Sequence, residues 1–357
     1  MDEPDLQELK IIEEAGNVLP SFSIVFTLED KDVLRYFNEG NPLEIAFGVD
    51  DLEMTNVKFR ILGKPYISKL TQHKYLIKLT GLLDNIKYYS DCKVNIVGPM
   101  SGIEAVIGAA GNHFSVDTNV QKSQDRQNWI QPNVSDKAFI NQVWMHSYLL
   151  GSFPAIGISS RGDFILRDVK KLAKSGYTWV FTSTDVSKEN EIAFDTWSLG
   201  SATGFINAWS GYEREKPVWD IDTGSSQIIK PSLQTIMAPS SDLDRMADVG
   251  KRAQEFGLLT ENVHTNYHLA FQQNLGYLSV FSSGSVVLLQ FSGRYVDLKV
   301  LDLVFLRDLD INLQGSEGYY SGSYLIAKIA RIVESKNFTT LVQLTRESLG
   351  ELIGNLK

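Results

Sequence analysis

Residues 324–333 and 338–346 form two long runs in which apolar and polar side chains alternate, separated by Glu334, Ser335, Lys336 and Asn337. Alternation with period two turns one face of a strand toward a core and the other toward water, and a short polar link between two such runs reverses the chain. The same pattern recurs near the other end of the sequence. Apolar runs at residues 22–26, 44–47, 57–62, 75–80 and 93–97 are separated by turn signals. Within residues 57–62, Val57, Phe59 and Ile61 share one face and Lys58 and Arg60 the other. This spacing predicts an antiparallel sandwich or barrel at each end of the chain.

Between them the period changes. Ser101 and Glu104 have the reciprocal capping-box spacing that opens a helix, Ile103, Val106, Ile107 and Ala110 continue one face, and Gly111 is placed to cap its end. Ser135 is a second N-cap, with Asp136 near the positive helix end and Phe139, Val143, Trp144, Tyr148 and Leu149 as the apolar stripe. Strand-like pieces follow at residues 155–158, 164–166 and 178–181. Strand signals return over residues 191–229, helical patterns follow at 241–255 and 260–275, and strands resume to the end. The expected class is α+β and β-rich. The expected division is an N-terminal arm over 1–16, a first barrel over 17–100, an α+β middle domain over 101–181, and a second barrel over 182–357 with a helical insertion at about 241–276.

At 357 residues, 43% hydrophobic and 22% charged, the chain is long enough for two or three domains and ordinary enough in composition to fold. Its net charge of −9 lacks the footprint of a protein that coats nucleic acid. A single cysteine, Cys92, rules out an internal disulfide and a cysteine-rich zinc site, and suits a reducing cytoplasm. The acidic start, Met1 to Asp5, has no secretory signal, and the apolar stretch 148–158 is too short and too rich in Gly and Pro to span a bilayer.

Catalytic signatures are sparse. The phosphate-binding G-x-x-x-x-G-K-[ST] and the nucleophile elbow G-x-S-x-G are both missing, and the glycines at 108–111 and 157–162 have the wrong spacing for a dinucleotide loop. His264 and His268 lie four apart, as two zinc ligands on a helix would, but Thr265, Asn266 and Tyr267 between them omit the glutamate of H-E-x-x-H. No metal and no cofactor is expected. The pairs Asp220/Asp222, Asp242/Asp244 and Asp308/Asp310 could serve a glycosidase, but read more simply as solvated or turn-forming aspartates. Trp197, Trp209, Tyr212 and Trp219 are candidate interface aromatics, or the platform of a monomeric carbohydrate- or receptor-binding module.

The run from Gln127 through Trp129, Gln131, Ser135 and Asp136 to Phe139, followed by residues 153–158 and 162–164, resembles the tail and baseplate hub proteins of bacteriophages, including the late control protein D type. The closing hairpin and residues 274–304 are compatible with the same family. The resemblance implies a structural virion protein without catalytic residues. It implies a homotrimer whose copies each supply two tube-like β-barrels, giving a pseudo-sixfold ring between a hexameric tail tube and a trimeric central spike. The implied partners are the spike, the tube or its initiator, the tape-measure protein, and DNA that passes through the lumen without specific binding. Assembly in the host cytoplasm follows from that family, as does a spike carried on another polypeptide. A lumen that is acidic or neutral would let DNA slide. The rival readings are a glycoside or peptidoglycan hydrolase using paired carboxylates and the monomeric binding module.

Overall fold

The computed structural model describes residues 5–29, 35–47, 55–183, 186, 189–200, 213–231, 233, 236–237, 251–253, 257–260, 263–283, 285–293, 297–307, 320–334 and 337–347. The chain begins with strands β1 (Asp5–Glu14), β2 (Ser21–Leu28), β3 (Pro42–Phe47), β4 (Thr55–Ile61), β5 (Tyr66–Lys69) and β6 (Tyr75–Leu83). Next come helix α1 (Ile86–Ser90), β7 (Cys92–Met100), α2 (Gly102–Gly111), β8 (Ser115–Thr118), β9 (Gln127–Ser135), α3 (Asp136–Met145), β10 (Pro154–Ile158), β11 (Asp163–Asp168) and α4 (Val169–Ser175). The last part contains β12 (Trp179–Thr182), β13 (Glu191–Ala193), β14 (Thr196–Leu199), β15 (Glu213–Asp220), β16 (Ser225–Ile229), β17 (Lys251–Ala253), β18 (Gly257–Leu259), α5 (Tyr267–Ser283), β19 (Ser285–Ser292), β20 (Leu303–Leu306), β21 (Gly322–Glu334) and β22 (Asn337–Arg346).

The period-two segments become strands of one large sheet, except residues 93–97, expected in the first barrel, which lie in β7 of a separate two-stranded ribbon because β7 pairs with β9. In β4 the alternation has the expected sense: Val57, Phe59 and Ile61 are buried and Lys58 is exposed. The closing hairpin is β21 paired with β22, from Leu325 opposite Thr345 to Glu334 opposite Asn337, with an irregularity between Ile326 and Lys328. Its turn residues Ser335 and Lys336 lie outside the described residues. Gly81 in β6 is dictated by crowding, because a Cβ there would stand 2.2 Å from the Arg60 carbonyl oxygen of β4.

Residues 5–14, read from sequence as part of a terminal arm, are instead the strand that joins the two ends of the chain. β1 pairs antiparallel with β2 on one side and with β21 on the other. Its inward positions are Leu9, Ile11 and Glu13, and the charged third member hid the alternation. Glu13 takes a core position because Arg331, equally buried, donates to it at 2.8 Å. A buried pair of this kind is sustained by its geometry and would be costly to break on one side.

Two apolar clusters fill the interior. One gathers Leu9, Phe22, Phe26, Val57, Phe59 and Ile77 from the first six strands, with Val333 and Phe338 of the closing hairpin packed on it. The other runs from α2 and α3 through β10 and β11 to β12 and the late strands β19–β22.

In the middle of the chain, β7 and β9 form a two-stranded ribbon, and β11 pairs β10 antiparallel and β8 parallel. The capping box of Ser101 and Glu104 is present at the start of α2, and the Ser135 hydroxyl accepts the Ala138 amide at the start of α3. Gly111 proves to be the last residue of α2, with Asn112 at the cap. Strands β10, β11 and β12 occupy the expected positions. The helix expected over 260–275 is displaced, as α5 starts at Tyr267 and continues to Ser283. Of the helix expected over 241–255, residues 251–253 form a strand paired in parallel with β15, a tertiary pairing that overrides local pattern, and the remainder lies outside the described residues. No described helix is long and apolar enough to cross a membrane.

Candidate assembly surface

The residues that carry the family resemblance converge on the joint between the ribbon and α3. Asp136 is buried at the first turn of α3. Its carboxylate accepts Lys93 Nζ at 2.6 Å and Gln131 Nε2 at 2.9 Å, and lies 2.7 Å from His113 Nε2. Burial works to raise its pKa, but the hydrogen bonds from Lys93, Gln131 and His113 together hold it below the usual carboxylate value. Gln131 also donates to the Val134 carbonyl at 2.9 Å, and Trp129 Nε1 donates to the Met100 carbonyl at 3.1 Å. Phe139 is core, and Gln127 Oε1 accepts the His264 amide at 2.9 Å. The motif therefore spends its polar groups on internal bonds between β7, β9, α3 and the turn before α5.

That turn leads into a cluster of rings. His146, at the end of α3, stacks on Tyr267 with ring centroids 3.9 Å apart, and His264 and His268 approach the same ring at 5.7 and 5.3 Å. His264 precedes the helix, so the two histidines do not share a helical face as their spacing suggested. Asn266 donates its amide to His264 Nδ1 at 3.1 Å, and His268 Nε2 lies 2.7 Å from the Leu258 carbonyl. Burial lowers the pKa of all three, that of His146 to about 4. Among the described residues no group of three His, Cys, Asp or Glu side chains is arranged to hold a metal ion. From α5, Asn274 Nδ2 donates to the Ser147 carbonyl at 2.8 Å and Gln273 Nε2 to those of Leu149 and Ser152 at 2.8 and 2.7 Å. These amides satisfy carbonyls that α3 and the following loop leave open. The sequence marked α5 only as an apolar pattern; its buried amide pair was the missed signal.

The aromatic candidates do not form one platform. Trp197 sits half-buried on β14, beside Tyr320 at 6.1 Å, whereas Trp219 is exposed on β15 in a separate four-stranded sheet. Trp209 and Tyr212 lie outside the described residues. Of the paired carboxylates, Asp220 and Asp222 belong to a turn, where Asp220 Oδ1 accepts the amides of Asp222 and Thr223 at 2.9 and 3.2 Å. The other two pairs lie outside the described residues.

What the fold offers outward is sheet. Eight strands run in the order β5, β6, β2, β1, β21, β22, β19, β14, every neighbour antiparallel. Among the described residues β3, β5, β13 and β14 each pair with a single strand, and β13 runs on into β14, with β12 on one side of that stretch and β19 on the other. Open edges present unpaired amides and carbonyls, which favours association with another strand. A second exposed feature is the outer face of the ribbon, where Val94, Ile96 and Ile130 are 82%, 68% and 59% exposed.

No family model and no curated protein matches the sequence. Solved structures do match the fold. A tail protein from Neisseria meningitidis MC58 aligns with a TM-score of 0.58 and 11% identity over 96% of this chain and 93% of that one. The 43 kDa tail protein of prophage MuSo2 from Shewanella oneidensis aligns at 0.54 with 9% identity, again over 96% and 93%. An E. coli component of the type VI secretion system, described as structurally similar to the T4 bacteriophage tail proteins gp27 and gp5, aligns at 0.50 with 10% identity over 96% and 74%. Matched along nearly its whole length, the chain has the fold of bacteriophage tail proteins, and the resemblance seen in its sequence holds at the level of that fold.

Proposed function

We propose that the chain is a structural hub of a phage tail or of a related contractile injection device. Three copies form a pseudo-sixfold ring that joins a hexameric tube above to a trimeric spike below. The observation that carries this reading is the meeting of the two chain ends at β1, which merges strands of residues 5–83 with strands of residues 196–346 into one sheet whose β3, β5, β13 and β14 each have a single partner strand among the described residues. A head-to-tail contact between unlike edges closes into a ring when its rotation permits, and it hides those edges. Two β-rich halves in each of three copies supply six units for a sixfold neighbour.

In this reading the protein works by geometry and without turnover. Its polar clusters are consumed in internal hydrogen bonds, and the net charge of −9 favours a lumen along which DNA moves unbound. The spike, the tube or its initiator and the tape-measure protein are the proposed neighbours, with the ring in the tail baseplate of a virion assembled in the host cytoplasm. The test is solution mass by light scattering at low and high concentration, alone and with the spike protein added. Three copies per particle is the expected result. A monomer under every condition, or hydrolysis of peptidoglycan by the purified chain, overturns it.

A further inference from the structure

The small sheet of β15, β16, β17 and β18 has two unlike faces. Its inner face rests on α5: Val218 is fully buried, and its partner Gly257 lies so near His268 that a Cβ there would stand 3.1 Å from the ring. Lys216 is on this side too, its Nζ 5.6 Å from the centre of the Phe271 ring. The residues that alternate with these share the outer face. Trp219 of β15 pairs in register with Ser226 of β16 and Leu258 of β18, and Pro217 stands opposite Ile228. Trp219, Leu258 and Ile228 are 40%, 56% and 62% exposed, and Ile221 in the adjoining turn is open to solvent as well. An indole set among aliphatic side chains has the composition of an interface centre rather than of ordinary surface.

The charge beside this face has one sign. Residues 217–229 contain Asp220 and Asp222 and no lysine or arginine. Neither carboxylate has an ion pair among the described residues. Hydrogen bonds from Thr223 hold the Asp220 carboxyl below its usual value, so it stays ionised. The lysines on either side of the segment are engaged elsewhere, Lys216 against Phe271 and Lys230 with Glu215.

These two carboxylates decide what covers the apolar face. A two-fold contact with another copy would set them against their like, and nucleic acid or an anionic membrane would meet the same repulsion. A sugar ring could stack on the indole, but Leu258 and Ile228 beside it offer no hydrogen bond to hold its hydroxyls. A protein surface in which apolar side chains are interspersed with cations matches both the face and its charge.

We infer that the outer face of this small sheet docks a different protein, through a segment whose apolar residues cover Trp219, Leu258 and Ile228 and whose lysines or arginines meet Asp220 and Asp222. The inference does not depend on the ring reading, because the face belongs to a sheet separate from the eight-stranded run.

The test selects displayed short random peptides on the full chain, with counter-selection on a Trp219→Ser, Leu258→Ser variant whose folding is checked by thermal melts. Enriched sequences are expected to combine apolar residues with lysine or arginine. Titrated as synthetic peptides, they should bind Trp219→Ala about tenfold or more weakly, as loss of a central aromatic anchor does. Asp220→Asn with Asp222→Asn, which keeps the oxygen that accepts the turn amides, should weaken binding about threefold and flatten its dependence on salt. Enrichment no greater than on the counter-selected variant, a consensus without cations, or affinity indifferent to the two aspartates overturns the inference. So does binding of N-acetylglucosamine oligomers, or self-association of the wild type, that is lost in Trp219→Ala, since the occupant is then a sugar or a second copy. None of these results alters the solution mass that tests the ring.

Discussion

The eight-stranded run and the middle region of residues 86–175 are held together by different means. In the run, alternating strands bury apolar side chains such as Phe22, Phe59 and Ile77, and the buried pair of Glu13 with Arg331 joins β1 to β21. The middle region has an apolar core of its own around Phe139, Ile140 and Phe164 and adds buried polar nodes to it: Asp136 with Lys93, Gln131 and His113, and Asp168 accepting the Ser152 hydroxyl and the Lys171 amide. The lesson is one of division of labour. A sheet stabilised by area can leave its edges free for neighbours, while a helical joint stabilised by hydrogen bonds responds to protonation.

The comparison breaks most visibly in the sheet core. Phe59 is fully buried and its ring lies 4.9 Å from that of Phe22. Phe59→Ala is expected to cost about 3–5 kcal/mol through lost burial and a residual cavity, measured as a fall in the urea midpoint. A cost under about 1 kcal/mol would mean that the first core is not cooperative with the rest.

Acid should instead act on the middle region. Burial holds His146 neutral, with its pKa lowered to about 4, while in the unfolded chain it titrates near 6.5. The unfolded state therefore binds more protons between those values. The contribution is complete above pH 6.5 and is lost as pH falls toward 4, by about 3 kcal/mol in total. Asp302, which precedes β20, has the opposite sign, since burial raises its carboxyl to about 6. Its proton is retained better in the folded chain, so its contribution is present below pH 4 and lost as pH rises through 6. Hydrogen exchange at pH 5 should show faster opening around His146 and α5 than at pH 7, with the β20 turn unchanged or slower. Equal loss of protection in both places would refute the distinction.

The smallest effect sharpens the contrast within the middle region itself. Ser101→Ala removes the capping box from α2 and should cost about 1 kcal/mol, visible as a lowered melting midpoint and local exchange near residues 101–105. The long strands should keep their protection.

Much of this was legible in the residue pattern, because alternation and caps are local. The faces of β4, the β21–β22 hairpin, the capping box at Ser101 and the N-cap at Ser135 needed no knowledge of distant partners. The readings that failed depended on contacts far away in sequence. Glu13 looks like surface until Arg331 is brought to it. His264 and His268 look like a pair on one helix until the turn before Tyr267 separates them. Lys251–Ala253 becomes strand only because β15 lies beside it. The residues from Gln127 to Phe139 pointed to the right fold, yet their internal bonding to Lys93, His113 and Met100 was invisible to spacing.

Local periodicity, then, was enough to determine a β-rich chain with strands at both ends and helices between, since side-chain alternation and capping act over a few residues. Only tertiary structure decided that β1 lies between the two ends rather than beside them, and that β5 pairs with β6 and β14 with β19. Those outcomes depend on which strand reaches which neighbour across some three hundred residues, where hydrogen bonds and buried area compete over the whole fold.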